Sequence, residues 1–214
     1  LLMLTSPWIA ALLALFVWWF STGAILLAVR RADKEGAQAR LWAVLWNLPF
    51  LVVGAVGFLD TLGNDTVAGV YVAFLSALAL WGWIELAFLT GIITGPVRQP
   101  LRDGVPEWER FIRAWGTIAY HEMLLAFTLI TMIVASVGAE NKFGMWIFAV
   151  LFAARVSAKL NLYLGVRKIN VEFIPEHLNH ILEINLVETI TIPLRTGTGW
   201  YFDINSLDEA LSFS

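Results

Sequence analysis

A chain of 214 residues that is 59% hydrophobic and only 14% charged has too little polar surface to cover a soluble globule, a difficulty that a bilayer removes. Its net charge of −3 comes without a basic arm or Lys/Arg run, which argues against nucleic acid as a partner. With no cysteine, disulfides, cysteine-ligated clusters and thiol catalysis are excluded, and the redox compartment stays open.

The first residues, Leu1 to Pro7, lack the basic stretch and small-residue cleavage site of a signal peptide, so the first apolar run reads as a retained helix. The missing initiator Met reads as the mark of a trimmed or partial chain. Crossing roughly 30 Å of hydrocarbon takes about 20 helical residues. Five runs meet that length: Trp8 to Val29, Leu41 to Leu59, Val67 to Gly95, Ala114 to Gly138 and Gly144 to Val166. None shows the strict alternation of a lipid-facing barrel strand, which leaves helices as the structures able to satisfy the backbone in lipid. The third run is longer than one crossing and must tilt or start outside the hydrocarbon.

Between the spans lie a basic loop (Arg30 to Arg40), an acidic turn (Asp60 to Thr66), a polar loop (Pro96 to Arg113) and a tight turn (Ala139 to Phe143). Lys and Arg concentrate after the first, third and fifth spans, at Arg30, Arg31, Lys34, Arg40, Arg98, Arg102, Arg110, Arg113, Arg167 and Lys168; the opposite loops carry only Lys142. By the positive-inside rule the N-terminus is periplasmic and the C-terminus cytoplasmic. Trp8, Trp42, Trp115 and Trp146 stand near span ends, where interfacial anchors belong.

After Lys168 the character changes. Residues 1–168 therefore read as a transmembrane helix bundle and 169–214 as a cytoplasmic C-terminal segment. Pro175 opens a short amphipathic helix over about 175–187, expected to lie along the membrane interface, and the tail beyond it reads as irregular. The expected fold class is all-α, a polytopic bundle of about five spanning helices.

The ionisable residues that interrupt the spans carry the most information, because a charge in hydrocarbon costs several kcal/mol unless paired or wetted. They are Glu85 in the third span, His121 and Glu122 in the fourth, and Arg155 and Lys159 in the fifth. Counted along each span, they lie roughly 10 to 18 Å from the same cytoplasmic edge. Arg155 and Lys159, four apart, share a helix face. The expected result is an interhelical network in which two cations meet two carboxylates, with His121 adjacent. Such a network can fix packing and register, which is the simplest reading. A proton pathway, a metal site on Glu85, His121 and Glu122, and chlorin ligation through His121 or His177 are the functional alternatives. The Glu-x-x-His repeats of di-iron bundles are missing. His177 and His180 are three apart on the expected surface helix and could contact a metal or pigment, but with no third firm ligand a solvated face is the plainer reading, and no metal site is assigned. Trp81, Trp83 and Phe88 read as packing or lipid-facing aromatics, and Gly91, Gly95 and Pro96 as a close-packed helix end. Hydrolase, Walker and dinucleotide motifs are absent.

Several segments in order resemble one family. They are Trp18-Trp19-Phe20-Ser21-Thr22-Gly23, then Ala73 to Ala77, Trp81-Gly82-Trp83-Ile84-Glu85, and Phe88 to Gly91. Tyr120-His121-Glu122, Arg155 to Asn161 and Phe173 to Leu178 continue the series. This pattern is similar to the PuhE-type photosynthetic complex assembly proteins of bacterial phototrophs, over roughly residues 15 to 180. The resemblance implies a bacterial inner, photosynthetic membrane and a role in building or maintaining the reaction centre and its light-harvesting complex. It departs from the family where Ile84 stands in place of a His before the Glu, which weakens any shared His-Glu site. A further departure is the end in Tyr201 to Ser214 without another apolar helix.

The expectation is thus a non-enzymatic membrane protein associated with reaction centre and antenna subunits, as assembly factor or accessory subunit. Its other neighbours are lipids. Bacteriochlorophyll, carotenoid or quinone at the partner interface is left open, with no cofactor firmly implied. The alternative is a membrane enzyme or carrier acting on pigment, quinone or lipid through Glu85, His121 and Glu122.

Overall fold

A computed structural model describes residues 6–97 and 106–163. Among these the chain is all helical, with no strand. The elements are α1 (Pro7–Glu35), α2 (Ala37–Trp46), α3 (Leu48–Thr61), α4 (Val67–Leu89), α5 (Glu107–Gly116), α6 (Ala119–Ala135) and α7 (Phe143–Tyr163). Among the described residues three segments are long and apolar enough to cross a membrane: Pro7–Glu35, the joined Ala37–Thr61, and Val67–Leu89. That makes the chain a membrane protein. Of the five expected spans, the fourth corresponds to α6, apolar but only 17 residues long, and the fifth to α7, which carries Arg155 and Lys159. The expected interfacial helix at 175–187 and the whole of 169–214 lie outside the described residues.

The first expected loop is almost entirely helix. α1 runs on through its basic residues to Glu35, and the break is confined to Gly36, whose φ of 98° suits a residue without Cβ. Gly36 N–H still donates to Ala32 O, and an Arg40–Asp33 ion pair at 3.3 Å spans the corner. The next break, at Asn47 between α2 and α3, follows from Pro49, which has no N–H to continue the helical ladder. Trp83 on α4 donates its indole N–H to Val44 O in that loosened turn, at 3.2 Å. Of the two central aromatics, Trp83 is thus tied to α2, and Trp81 packs edge-on against Phe148 of α7 at 5.3 Å.

α3 and α4 pack antiparallel through small residues. A Cβ on Gly54 would lie 3.0 Å from Ser76 O and 3.1 Å from Leu80 N, so this close approach exists because the side chain is missing. Gly57 faces the Ser76 side chain, and Gly144 of α7 seats on Phe58 and Ala73. Around these contacts Phe58, Ala77, Leu80, Ile84, Leu125, Met132 and Phe148 form the core, drawn from α3, α4, α6 and α7. At one end of the bundle Asn141 joins two turns: its N–H donates to Leu62 O at 3.0 Å and its carboxamide N–H to Asn64 O at 2.8 Å. Asn64 Oδ1 in turn accepts from Thr66, the N-cap of α4.

The other end departs further from expectation. α4 stops at Leu89 rather than running to Gly95, because Thr90 Oγ donates back to Leu86 O and Gly91 takes a φ of 74°. Residues 94–97 then lie along the junction of α5 and α6. Val97 N–H donates to Gly116 O at 3.2 Å, and His121 N–H donates to Thr94 O at 3.1 Å in place of a helical partner. Gly95 sits so close that a Cβ would be 2.6 Å from the Thr117 carbonyl carbon. This inserted backbone separates α5 from α6 at Thr117 and Ile118, so that α6 takes up most of the expected fourth span (Ala114 to Gly138) while α5 lies mainly in what reads from sequence as the polar loop before it.

The α3–α4 contact predicts an asymmetry between glycines. Gly54→Ala forces backbone to move and should cost about 1–3 kcal/mol, whereas Gly23→Ala on α1, with nothing within 4 Å of its added Cβ, should be neutral or slightly stabilising. Thermal melting of the purified protein in detergent, followed by size-exclusion recovery, separates the two.

Candidate functional site

The structure brings together all five residues of the expected ion network. Glu85 stands near the end of α4, His121 and Glu122 on the first turn of α6, and Arg155 and Lys159 one turn apart on α7. Arg155 is the hub. Its Nη1 donates to both oxygens of Glu85, at 2.8 and 3.0 Å, and its Nε to Glu122 Oε1 at 3.3 Å. Its Nη2 lies 3.2 Å from His121 Nδ1. Lys159 Nζ adds a second cation to Glu122 Oε1 at 3.1 Å. Two cations therefore meet two carboxylates, and the cluster is formally neutral with an uncharged imidazole.

Phe88 completes the site. One turn beyond Glu85 and on the same face, its ring lies 4.4 Å from the His121 ring, and the Arg155 guanidinium sits 4.9 Å from its centroid. The residue was visible in the sequence as a packing aromatic; its Glu-x-x-Phe spacing is the signal that links it to the ions. A guanidinium suits this place better than an ammonium, because its planar fork can hold two carboxylates and lie on a ring at once.

The geometry also assigns the imidazole. Arginine has no acceptor, so the Arg155 contact makes His121 Nδ1 the acceptor and puts the ring proton on Nε2. Nε2 is buried and makes no hydrogen bond with any described protein atom; Glu85 Oε1 is 3.8 Å away. With one lone pair facing a guanidinium and the other nitrogen protonated, the arrangement gives no support to metal or chlorin ligation by His121. Among the described residues no group of three or more His, Asp or Glu is placed to hold a metal ion. His177 and His180 lie outside the described residues.

Because α4 ends at Leu89 and α6 begins at Ala119, Glu85 is four residues from its helix end, about 6 Å at 1.5 Å per residue. The ions thus form a shallow clamp near one end of the bundle. Their side-chain exposures agree: His121 is fully enclosed, Glu85, Glu122 and Arg155 lie between 11% and 18%, and Lys159 reaches 32%.

These differences rank the residues. Arg155→Met leaves two enclosed carboxylates with only Lys159 between them and should cost about 3–5 kcal/mol. Lys159→Met removes a partly exposed cation and should cost about 1 kcal/mol or less. Unfolding in mixed micelles with increasing denaturing detergent should reproduce that order.

A family described as "Protein of unknown function (DUF3623)" matches residues 4–186, and the chain belongs to that family. It is also similar to an "Uncharacterized 30.4 kDa protein in puhA 5'region" of Rhodobacter capsulatus, at 48% identity over 178 residues. That match covers 83% of this chain and 65% of the relative, so the chain spans somewhat less than two thirds of the relative's length. No solved structure matches.

Proposed function

We propose that this chain is a non-enzymatic, multi-pass protein of a bacterial photosynthetic inner membrane that serves the reaction centre and antenna, as an assembly factor or bound accessory subunit. The observation that carries the reading is the relative at 48% identity, described by its position in the puhA 5′ region, a photosynthesis neighbourhood. The resemblance of the Trp18–Gly23, Trp81–Glu85 and Arg155–Asn161 segments to PuhE-type assembly proteins points the same way.

Five crossings complete the proposed topology. α6 and α7, at 17 and 21 residues, extend roughly 26 and 32 Å and pack beside α4. Arg30, Arg31, Lys34, Arg40 and Arg113 gather at the end of the bundle that holds the network, and Lys142 stands at the other. A periplasmic N-terminus and a cytoplasmic C-terminus accord with that asymmetry.

In this reading α1 is the docking element. It is apolar all round, and only Val29 and Ala32, near its basic end, are buried. Trp8, Leu12, Leu15, Phe16 and Trp19 are exposed on it, so most of its surface is available to lipid or to a neighbouring helix. The ion clamp stiffens α4, α6 and α7 behind it. Helix association in lipid relies on packing rather than on hydrophobic drive, so a rigid scaffold carrying one uncommitted helix suits a protein that docks other membrane subunits.

Deletion of the gene in its phototrophic host, with affinity capture of a tagged copy, tests this. Lower reaction-centre and antenna yield with co-migration is expected. Presence in the mature complex identifies an accessory subunit, and presence only in partly assembled complexes an assembly factor. Unchanged yield with no co-migration would refute both.

A further inference from the structure

We propose that α5 is an in-plane membrane helix whose aromatic face inserts into the headgroup–acyl boundary of the bilayer, at the end of the bundle that holds the ion network. The inference rests on the membrane-spanning reading of α4.

Helix α5 is short, ten residues, and cannot cross a bilayer. Its sequence divides cleanly by face. Trp108, Ile112 and Trp115 recur at i, i+4 and i+7, with Phe111 in the same stripe, and all four are exposed, by 66%, 55%, 49% and 51%. Glu109 and Arg113, one turn apart on the other side, pair with each other at 2.9 Å and leave the stripe free of charge. An apolar stripe of this size in water is unfavourable, and its composition fits the layer where ring and polar edge are both accommodated.

Placement identifies the occupant as lipid. Val97 N–H on Gly116 O and the seating of Gly95 against Gly116, Thr117 and Ile118 pin the C-terminal end of α5 beside the tail of α4, just past its last turn at Leu89. Trp115 is therefore held near the level at which a span leaves the hydrocarbon. The chain continues directly into α6, whose Tyr120, Met123, Phe127 and Ile130 are exposed in the same apolar manner. A helix with a polar back and an aromatic front, fixed at that level, lies along the interface. Anchored there, it would hold the first turn of α6, and with it His121 and Glu122, at constant depth.

Because the chain has no cysteine, single-cysteine variants each report one site. Full-length Trp108→Cys, Ile112→Cys, Trp115→Cys and Glu109→Cys, spin-labelled in phosphatidylcholine/phosphatidylglycerol vesicles, give the collision ratio of oxygen to a water-soluble nickel chelate. Leu75→Cys on α4 and Phe127→Cys on α6 serve as span controls. The ratio should be several-fold higher at 108, 112 and 115 than at 109, and below that of the controls. Stripe positions as open to the chelate as 109 would overturn the inference while the controls stay lipid-like. Stripe positions shielded from both reagents would assign the face to protein, either a partner or another segment of this chain, and overturn it too. Water-exposed controls would instead remove the membrane-spanning reading on which the inference rests. Ile112→Cys changes no ring and no ion pair, so it remains informative if the tryptophan variants fold poorly.

Discussion

The guanidinium of Arg155 is the point on which three helices close. A cation on α7 cannot sit inside an apolar bundle alone, and the fold supplies a carboxylate from α4, a carboxylate and an imidazole acceptor from α6, and an aromatic ring below. Each contact removes a penalty that would otherwise fall on a neighbour: Glu85 and Glu122 need the cation as much as it needs them. The arrangement differs from general apolar packing in being specific. Sliding α7 by a turn along α4 would put the single ammonium of Lys159, or no cation, where the guanidinium fork now holds Glu85 and Glu122 together, whereas the leucines and alanines of the core would find other partners.

The rest of this end of the bundle serves that geometry. The early stop of α4, the left-handed Gly91 and the run of residues 94–97 across the α5–α6 junction give His121 a backbone partner in Thr94 and set the imidazole over Phe88. The opposite end is held by neutral hydrogen bonds through Asn64 and Asn141. The middle is small-residue packing at Gly54, Gly57 and Ser76. Ions at one end, amides at the other and glycines between give α3, α4, α6 and α7 one register, and leave α1 attached mainly through its basic end.

Apolar run lengths made the helices legible, and the rarity of charge inside them singled out Glu85, His121, Glu122, Arg155 and Lys159, because hydrocarbon tolerates such residues only for a reason. The breaks were harder to read. Pro49 carried a usable signal, and so did the i, i+4, i+7 spacing of Trp108, Ile112 and Trp115, which merges with the next apolar run unless the charges at Glu109 and Arg113 are weighed. Gly36 could not be told from any other loop glycine, since α1 and α2 simply continue through their basic residues. The split at Thr117 and Ile118 was not readable at all, because its cause is backbone more than twenty residues earlier in the chain. The same holds for the imidazole: that Nδ1 accepts depends on a guanidinium from another helix.

A clamp between α4, α6 and α7, joined to a largely uncovered α1, suits the proposed role of a protein that works through contact with other membrane components. The claim beneath this is that Arg155 and Glu85 are energetically coupled across α4 and α7. The most direct measurement is the double-mutant cycle of Arg155→Met and Glu85→Gln, read from unfolding free energies in one micelle composition. We expect a coupling of about 2 kcal/mol or more, with the double variant more stable than Arg155→Met alone. Additive effects, with coupling near zero, would contradict the account.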